Sequence, residues 1–348
     1  MSDGVFSLAV VVPNRNDARY LRRCLDSLLR QRQLPDEIIF VDDQSTDESV
    51  SLARALLSEY SIARIVENPT RLGTNGAINV GLRLARSRYV FFLSSNDYIS
   101  PELFARAALC LGAFPSAGVW SAMTWTIDER CGRRLYPSAV IARKDSFFAA
   151  DTCCRLAYEI GSWFMTPMFD REALLEIGGF DASLQGLSDL FAALVLAGRR
   201  GAAFSPAPLG IWQLHEDSLL SRTCSDQEYG AAVRRFQQRG QQLAPDLFTP
   251  GMVARTELRL YFASLRWSQG SALPYVTSHL GKGRRAAMNA LATLVPRRFQ
   301  RLRLGLMFAV MRPFDLIPTI RYRLLGSLIV RLRELKHKRA ERESAAVH

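Results

Sequence analysis

Residues 7 to 12 (SLAVVV) form an almost continuous apolar, β-branched run, as in a strand buried on both faces of a parallel sheet, and Pro13 is expected to stop it. Asp17 is placed to cap the helix that follows, in which Leu21, Cys24, Leu25, Leu28 and Leu29 share one face. Residues 37 to 41 (EIIFV) read as a second strand, 47 to 60 as a second amphipathic helix and 63 to 67 (ARIVE) as a third strand. A helix over residues 77 to 86, with Asn79 and Gly81 near its start, and a strand over 89 to 93 (YVFFL) complete a β-α-β-α-β-α-β order with short loops. Such alternation predicts an α/β fold with a doubly wound, mainly parallel sheet flanked by helices.

The pattern changes from about residue 115. An aromatic-rich stretch over 119 to 126 carries Trp120 and Trp125, and an irregular segment runs on to about residue 160. A strand-like 163 to 165, a helix over 171 to 177 and the turn Gly178-Gly179-Phe180-Asp181 follow. A helix over 189 to 197 then leads to apolar pieces at 201 to 204 and 206 to 209. The expected division is one domain over residues 1 to 230, with halves meeting near 110, and a mostly helical extension over 231 to 348.

In open α/β sheets ligands bind beyond the carboxyl ends of the strands, so the four following segments carry the candidate chemistry. They are Pro13-Asn14-Arg15-Asn16-Asp17, Asp42-Asp43-Gln44-Ser45-Thr46-Asp47, Asn68-Pro69-Thr70-Arg71-Leu72-Gly73 and Ser94-Ser95-Asn96-Asp97. No Gly-x-Gly-x-x-Gly follows the first strand and no Gly-Lys-Ser/Thr phosphate loop occurs, so dinucleotide and P-loop readings lose their support. Adjacent carboxylates raise each other's pKa unless each has a partner, and Asp42 and Asp43 call for one. Asp47 suits a helix cap, as do Asp42 and Ser45; capping explains one of the paired carboxylates and leaves the other to accept from a ligand N–H, such as a nucleobase edge.

Composition narrows the class. The chain of 348 residues is 48% hydrophobic and 22% charged, enough to bury a substantial core. Its six cysteines form no CxxC pair and no zinc-ligand spacing with the four histidines, which suits reduced thiols in a cytoplasmic protein. No basic n-region precedes the first strand, and Arg or Lys interrupts every long apolar run, so neither a cleaved leader nor a membrane-spanning helix is expected. The net charge of +12 is uneven: residues 1 to 230 hold 23 Lys and Arg against 27 Asp and Glu, and the remainder holds 22 against 6. An acidic first part joined to a basic tail suggests a catalytic domain with a docking surface for something anionic.

The string VVVPNRND…LRRCLDSLLRQ…PDEIIFVDDQSTD…ENPTRLGTNGAINVGLRLARSRYVFFLSSNDYISPELF resembles the donor half of family 2 glycosyltransferases, which have the GT-A fold. REALLEIGGFDASLQGLSDLFAALVLAGRRGAAFSPAPLGIWQLHEDS resembles their acceptor half, and the two cover roughly residues 6 to 222. The resemblance implies inverting transfer of a sugar from a nucleotide-diphosphate-sugar donor to a saccharide or lipid-linked hydroxyl, in bacterial surface polysaccharide or glycolipid assembly. It places Pro13, Asn16, Asp42, Asp43, Asn79, Gly81 and Ser95 at the donor, and Asp189 as the base that takes the acceptor proton. Asp189 also suits a bare helix start, where the dipole favours a carboxylate. Leu190 and Phe191 stand where relatives are more polar or aromatic, and suggest an apolar acceptor pocket. The resemblance further implies a divalent cation, Mg²⁺ or Mn²⁺, held through Asn96, Asp97 and His215, with no organic cofactor.

The sequence departs from the family where Ser94 and Asn96 replace the usual carboxylates of Asp-x-Asp, which weakens any metal site, and where Ile78 replaces an arginine before Asn-x-Gly. Trp120 and Trp125 fit a core or a sugar-stacking face. Residues 282 to 348 hold 16 Lys and Arg against 4 Asp and Glu, interleaved with apolar residues, a pattern for basic amphipathic helices on the anionic inner face of a membrane or packed on protein. No nucleic-acid motif accompanies this charge. A rival reading is a non-catalytic GT-A-like domain that binds nucleotide or saccharide, or scaffolds a membrane complex.

Overall fold

The computed structural model describes residues 6–128, 133–135, 141–160, 164, 166–214 and 229–252, with isolated positions 256, 283, 286, 287, 290 and 294. Four parallel strands open the chain: β1 (Leu8–Asn14), β2 (Glu37–Asp42), β3 (Ala63–Glu67) and β4 (Tyr89–Phe92), in the spatial order β3-β2-β1-β4. β1 is buried along its whole length, as its unbroken apolar run requires, whereas β3 is only partly covered at the sheet edge. Contrary to expectation, Pro13 does not end β1. The ladder with β4 has already stopped at Val11, so the missing N–H falls where no partner on that side needs it.

The connecting helices are α1 (Ala18–Leu29), α2 (Ser49–Leu57) and α3 (Gly73–Leu84). α1 buries Tyr20, Leu21, Cys24, Leu25 and Leu28, the face its spacing predicts. Asp17 occupies the N-cap position of α1 without making a side-chain cap bond. α3 starts at Gly73 rather than at residue 77, which puts Asn79 and Gly81 inside the helix and not near its start.

The second half extends the same sheet. β5 (Tyr98–Ile99), α4 (Leu103–Ala113), β6 (Val119–Asp128), β7 (Arg133–Leu135), β8 (Ser146–Phe148) and α5 (Ala150–Ile160) come first. β9 (Pro167–Asp170), α6 (Arg171–Glu176), a 3-10 turn (Ala182–Leu187), α7 (Ser188–Arg200) and β10 (Ala202–Leu214) follow. The sheet continues β4-β9-β6-β10-β5, with β9 antiparallel to both neighbours and β6 parallel to β10. The mainly parallel, doubly wound α/β fold is thus borne out.

Local expectations in this half shift. Of the strand expected at 163 to 165, residues 163 and 165 lie outside the described residues, with β9 beginning at Pro167, and the segment read as irregular up to residue 160 contains β8 and α5. The pieces at 201 to 204 and 206 to 209 are one strand, β10. Pro206 and Pro208 fit because the ladders with β8 (at 202–204) and β5 (at 210–211) leave the intervening stretch unpaired on that side, and the register with β6 slips there.

Two cores sandwich the sheet. One joins α1, α2 and α4 to β1 residues such as Val10 and Val12; the other joins α3, α5, α6 and α7 to Val11, Val41 and Phe169. α8 (Tyr229–Leu243) and the turn after it contribute Phe236, Leu247, Phe248 and Met252 to the second core. The packed unit therefore continues past residue 230 to at least 252. Trp120, fully buried, donates from Nε1 to Ser205 Oγ at 3.1 Å, and Trp125 is 7% exposed, so both are core residues. Among the described residues no helix is long and apolar enough to cross a membrane. The candidate amphipathic helices between residues 282 and 348 lie outside the described residues.

Candidate active site

The ends of β1 and β2 lie side by side, and their polar residues resolve into two separate networks. Asn14 stands opposite Asp42 in the parallel register and donates from Nδ2 to Asp42 Oδ1 (2.9 Å) and to Ser45 Oγ (3.0 Å). Asp42 also accepts from the Ser45 backbone (2.8 Å) and the Ser45 hydroxyl (2.5 Å), closing a tight turn after β2. Asp43 turns the other way. Its Oδ1 accepts from Asn68 Nδ2 (3.0 Å) and the Leu72 N–H (2.7 Å), and its Oδ2 from the Gly73 N–H (2.8 Å). Both carboxylates are 2% exposed and fully committed in this way. The pair thus avoids its mutual repulsion by facing two sets of donors.

Asp43 acts as a long-range cap: it satisfies the first N–H of α3 from 30 residues away, and Gly73, at φ +75°, supplies the backbone turn. Asn16 and Gln44 also have positive φ, 54° and 61°. Each is held by side-chain bonds, Asn16 Oδ1 accepting from the Thr46 N–H (2.7 Å) and Gln44 Nε2 donating to the Pro69 carbonyl (2.8 Å). Side chains thus hold a sparsely populated backbone conformation in both strand-end loops. Asp47 fulfils its expected capping role twice over, accepting from Ser49 N and Ala18 N at 3.0 Å each, at the starts of α2 and α1. Partial burial works to raise its pKa, but these bonds outweigh it and hold the carboxyl below the usual range.

The fourth strand end is built differently. Ser95 Oγ donates to Asp17 Oδ2 at 2.6 Å, which ties the segment to the start of α1. Asp97, half-buried, accepts from the Gln213 N–H at 2.9 Å and so joins the segment to β10. Burial pushes the Asp97 carboxyl up to about 7, against the favourable charge of Arg23 and with the unfavourable charge of Asp17. Ser94 is exposed. As a divalent site, the donor set of Asn96 amide and Asp97 carboxylate does not fit well: one carboxylate, already accepting a backbone N–H, offers little negative charge. Among the described residues no group of three His, Cys, Asp or Glu could hold a metal ion. His215 lies outside the described residues.

Asp189 sits in the first turn of α7. The residue is exposed, and among the described residues its carboxylate accepts from the N–H of Leu190, the residue next to it, at 2.7 Å and is also favoured by its own backbone N–H. The protein around it nonetheless desolvates the group, which raises its pKa above the ordinary carboxylate value, partly offset by that backbone bond. Phe191, expected with Leu190 to make the acceptor pocket apolar, is turned into the core. Phe191 is 2% exposed and packs edge-on against Phe236, with ring centroids 5.4 Å apart.

Asn79 and Gly81 do not reach the strand ends. Asn79 clasps the backbone of Phe180, donating from Nδ2 to its carbonyl (2.8 Å) and accepting its N–H at Oδ1 (2.9 Å). Gly81 lies against Val11, where an added Cβ would stand 2.3 Å from Val11 Cγ1, so glycine allows α3 to approach β1. Ile78, in the position expected for an arginine, is buried at 7% exposure. Asn14 and Asn68 lie within the strand-end segments singled out from the sequence but had no role assigned there, and Gln213 is added by the structure. Asn68 and Gln213 carry no local signal, since the partner of each lies 25 or 116 residues away.

Residues 9–150 match the family model described as "Glycosyl transferase family 2". Over 102 residues the chain is 33% identical to a poly(ribitol-phosphate) beta-glucosyltransferase of Bacillus spizizenii, covering 28% of this chain and 16% of that protein. Over 96 residues it is 31% identical to glycosyltransferase GlyG of Streptococcus pneumoniae, covering 28% of this chain and 32% of that one. The chain thus spans a third or less of the length of these curated relatives. Among solved structures, S. aureus TarS 1-349 in complex with UDP-GlcNAc superposes with a TM-score of 0.61 at 17% identity, over 89% of this chain and 91% of that one. The mannosyltransferase PcManGT of Pyrobaculum calidifontis, in complex with GDP-Man and Mn²⁺, superposes with a TM-score of 0.55 at 19% identity, over 89% and 88%. At these identities the likeness is one of fold.

Proposed function

We propose that this chain, which belongs to glycosyltransferase family 2 by the match over residues 9–150, transfers a sugar with inversion from a nucleotide-diphosphate donor to a hydroxyl of a saccharide or lipid-linked acceptor. Surface polymer or glycolipid assembly is the setting that its relatives' names favour. The observation that carries the reading is Asp189: an aspartate bonded, among the described residues, only to backbone N–H groups at the start of its own helix, accessible to solvent, and of raised basicity. A general base needs those three properties together, because it must reach the acceptor hydroxyl and compete for its proton.

The chain's own residues divide the work. Asp43, Asn68 and the N–H groups of Leu72 and Gly73 shape the nucleoside pocket, with Asn14, Asn16, Asp42 and Pro13 forming its floor. Asp189 removes the proton as the acceptor oxygen attacks the anomeric carbon from the face opposite the departing nucleoside diphosphate. Ser95, Asn96 and Asp97 lie beside the diphosphate position. A divalent ion, if bound, would neutralise the leaving group's charge; with one carboxylate in the set, dependence on it is weak.

Ser94 and Asn96 in place of carboxylates favour the rival reading of a non-catalytic nucleotide-binding or scaffold protein. Calorimetric titration with UDP, GDP and TDP, each with and without Mn²⁺, followed by an assay of nucleotide release from the matching sugar donor, separates the two. Binding with release supports the enzyme; binding without release supports the scaffold; no binding removes both. For the basic tail we propose docking on the cytoplasmic face of an anionic membrane. The full chain is then expected to co-sediment with vesicles containing phosphatidylglycerol, and a chain ending at residue 280 to stay in the supernatant. Equal sedimentation of both would remove the membrane role of the tail.

A further inference from the structure

We infer that Asn75 is a positioning residue, which fixes the turn carrying Asp189 to the same helix that Asp43 anchors at the nucleoside pocket. The inference rests on the glycosyltransferase reading. Asn75 is 8% exposed, and its Nδ2 donates both to the Gln185 carbonyl and to Ser188 Oγ, at 2.9 Å each. Ser188, 1% exposed and immediately before Asp189, has its hydroxyl 2.6 Å from the Asp181 carbonyl and 3.0 Å from that of Gln185. A single amide thus holds both ends of the turn from Gln185 to Ser188.

That turn needs holding. Gln185 adopts φ 50°, ψ −127°, a conformation that L residues other than glycine rarely adopt, and it kinks the 3-10 turn just before α7. Asn79, one helical turn after Asn75 on the same face of α3, clasps Phe180 at the other end of the segment. The N-terminus of α3 is in turn fixed by Asp43 through Leu72 N and Gly73 N. A continuous path of hydrogen bonds therefore runs from Asp43, through the first turn of α3 and Asn75, to Ser188 and the residue after it. Its consequence is that the nucleoside pocket and the base share one rigid mount. A donor that settles against Asp43 meets Asp189 in a fixed place, and the acceptor proton is presented to a carboxylate mounted on the turn that Asn75 holds.

The test uses the full chain with three variants: Asn75→Ala; Asn75→Asp, which keeps the volume but removes the donor; and Ser188→Ala, which removes the acceptor without touching α3. Nucleotide release from UDP-glucose, UDP-N-acetylglucosamine and GDP-mannose is followed from pH 5 to 8, with Kd for UDP and GDP by calorimetry. For all three we expect kcat to fall by about tenfold or more while nucleotide Kd stays within about twofold, since small misplacements of a catalytic group cost rate and not ground-state binding. The acid limb of the pH profile should also move, because the surroundings of Asp189 change. An active wild type with Asn75→Asp and Ser188→Ala at wild-type kcat and an unmoved acid limb overturns the inference and spares the reading of function. Kd and kcat lost in parallel with a fallen unfolding midpoint also overturn it, showing a merely structural role. A wild type that binds nucleotide but releases none from any donor overturns the function itself, and the inference with it.

Discussion

The aspartates of the two halves of the sheet use one functional group in opposite ways. In the first half Asp42 and Asp43 are buried, and each accepts three hydrogen bonds from residues of its own half. In the second, among the described residues, Asp189 is bonded to backbone N–H groups at the start of its own helix, and Asp97, on the seam, accepts one bond from β10; burial or desolvation raises the pKa of both. The first arrangement ties the strand-end loops together, and the second leaves a carboxylate with fewer donors and a raised pKa. The halves differ in construction too. Parallel strands with short helical crossovers complete the first half from local sequence, while the second recruits α8 and the turn after it to close its core.

That last difference gives the largest expected effect. A chain ended at residue 228 loses Phe236, Leu247, Phe248 and Met252 from the core and should not unfold cooperatively in a calorimeter. Phe236→Ala alone should cost about 3–5 kcal/mol in denaturant unfolding. A cooperative transition of normal midpoint in the shortened chain would show that the second half needs no such support. Next in size, Asp189→Asn should reduce transfer by about 10²–10⁴-fold, the usual range for a lost general base, with UDP affinity and unfolding midpoint near wild type. A large loss of nucleotide affinity would place Asp189 with the committed aspartates instead.

Asp43→Ala should do the reverse. It leaves Asn68 Nδ2 and two backbone N–H groups without their acceptor, at about 1–3 kcal/mol for each buried donor, and nucleotide binding by calorimetry should vanish together with a drop in midpoint. Retained binding would mean that Asp43 only builds the loop. The last prediction concerns the pH dependence of Asp97. Its folded pKa of about 7 lies above the unfolded carboxylate value of about 3.9, so the folded state holds the proton more tightly between them. Stability from this group is full below the lower value and is lost as pH rises towards 7. Asp97→Asn removes the loss, and its midpoint should pull ahead of wild type progressively from pH 4 to pH 7, then hold a constant lead. A lead that does not change with pH would show that Asp97 ionises normally.

Much of this contrast was visible in the sequence only as a set of candidates. The strand ends were legible because apolar β-branched runs such as residues 7 to 12 stop abruptly at polar loops, and the capping role of Asp47 followed from its place before α2. The start of α3 was not legible. Its first N–H is capped by Asp43 from another loop, and no periodicity within residues 73 to 84 records that. Phe191 misled for a related reason: following Asp189 on a helix, it looks equally able to face the acceptor or the core, and only α8 decides.

What the sequence by itself determined is the order of elements, the parallel first half and the loops that carry the chemistry, because hydrophobic period and turn residues are local properties. What the tertiary structure alone decided is the role of each polar side chain within those loops. Asp42 against Asp43, Asn79 against Phe180, and Asn75 against Ser188 are settled by donors and acceptors that meet only when distant segments pack. A carboxylate becomes scaffold or reagent according to how many of those donors reach it.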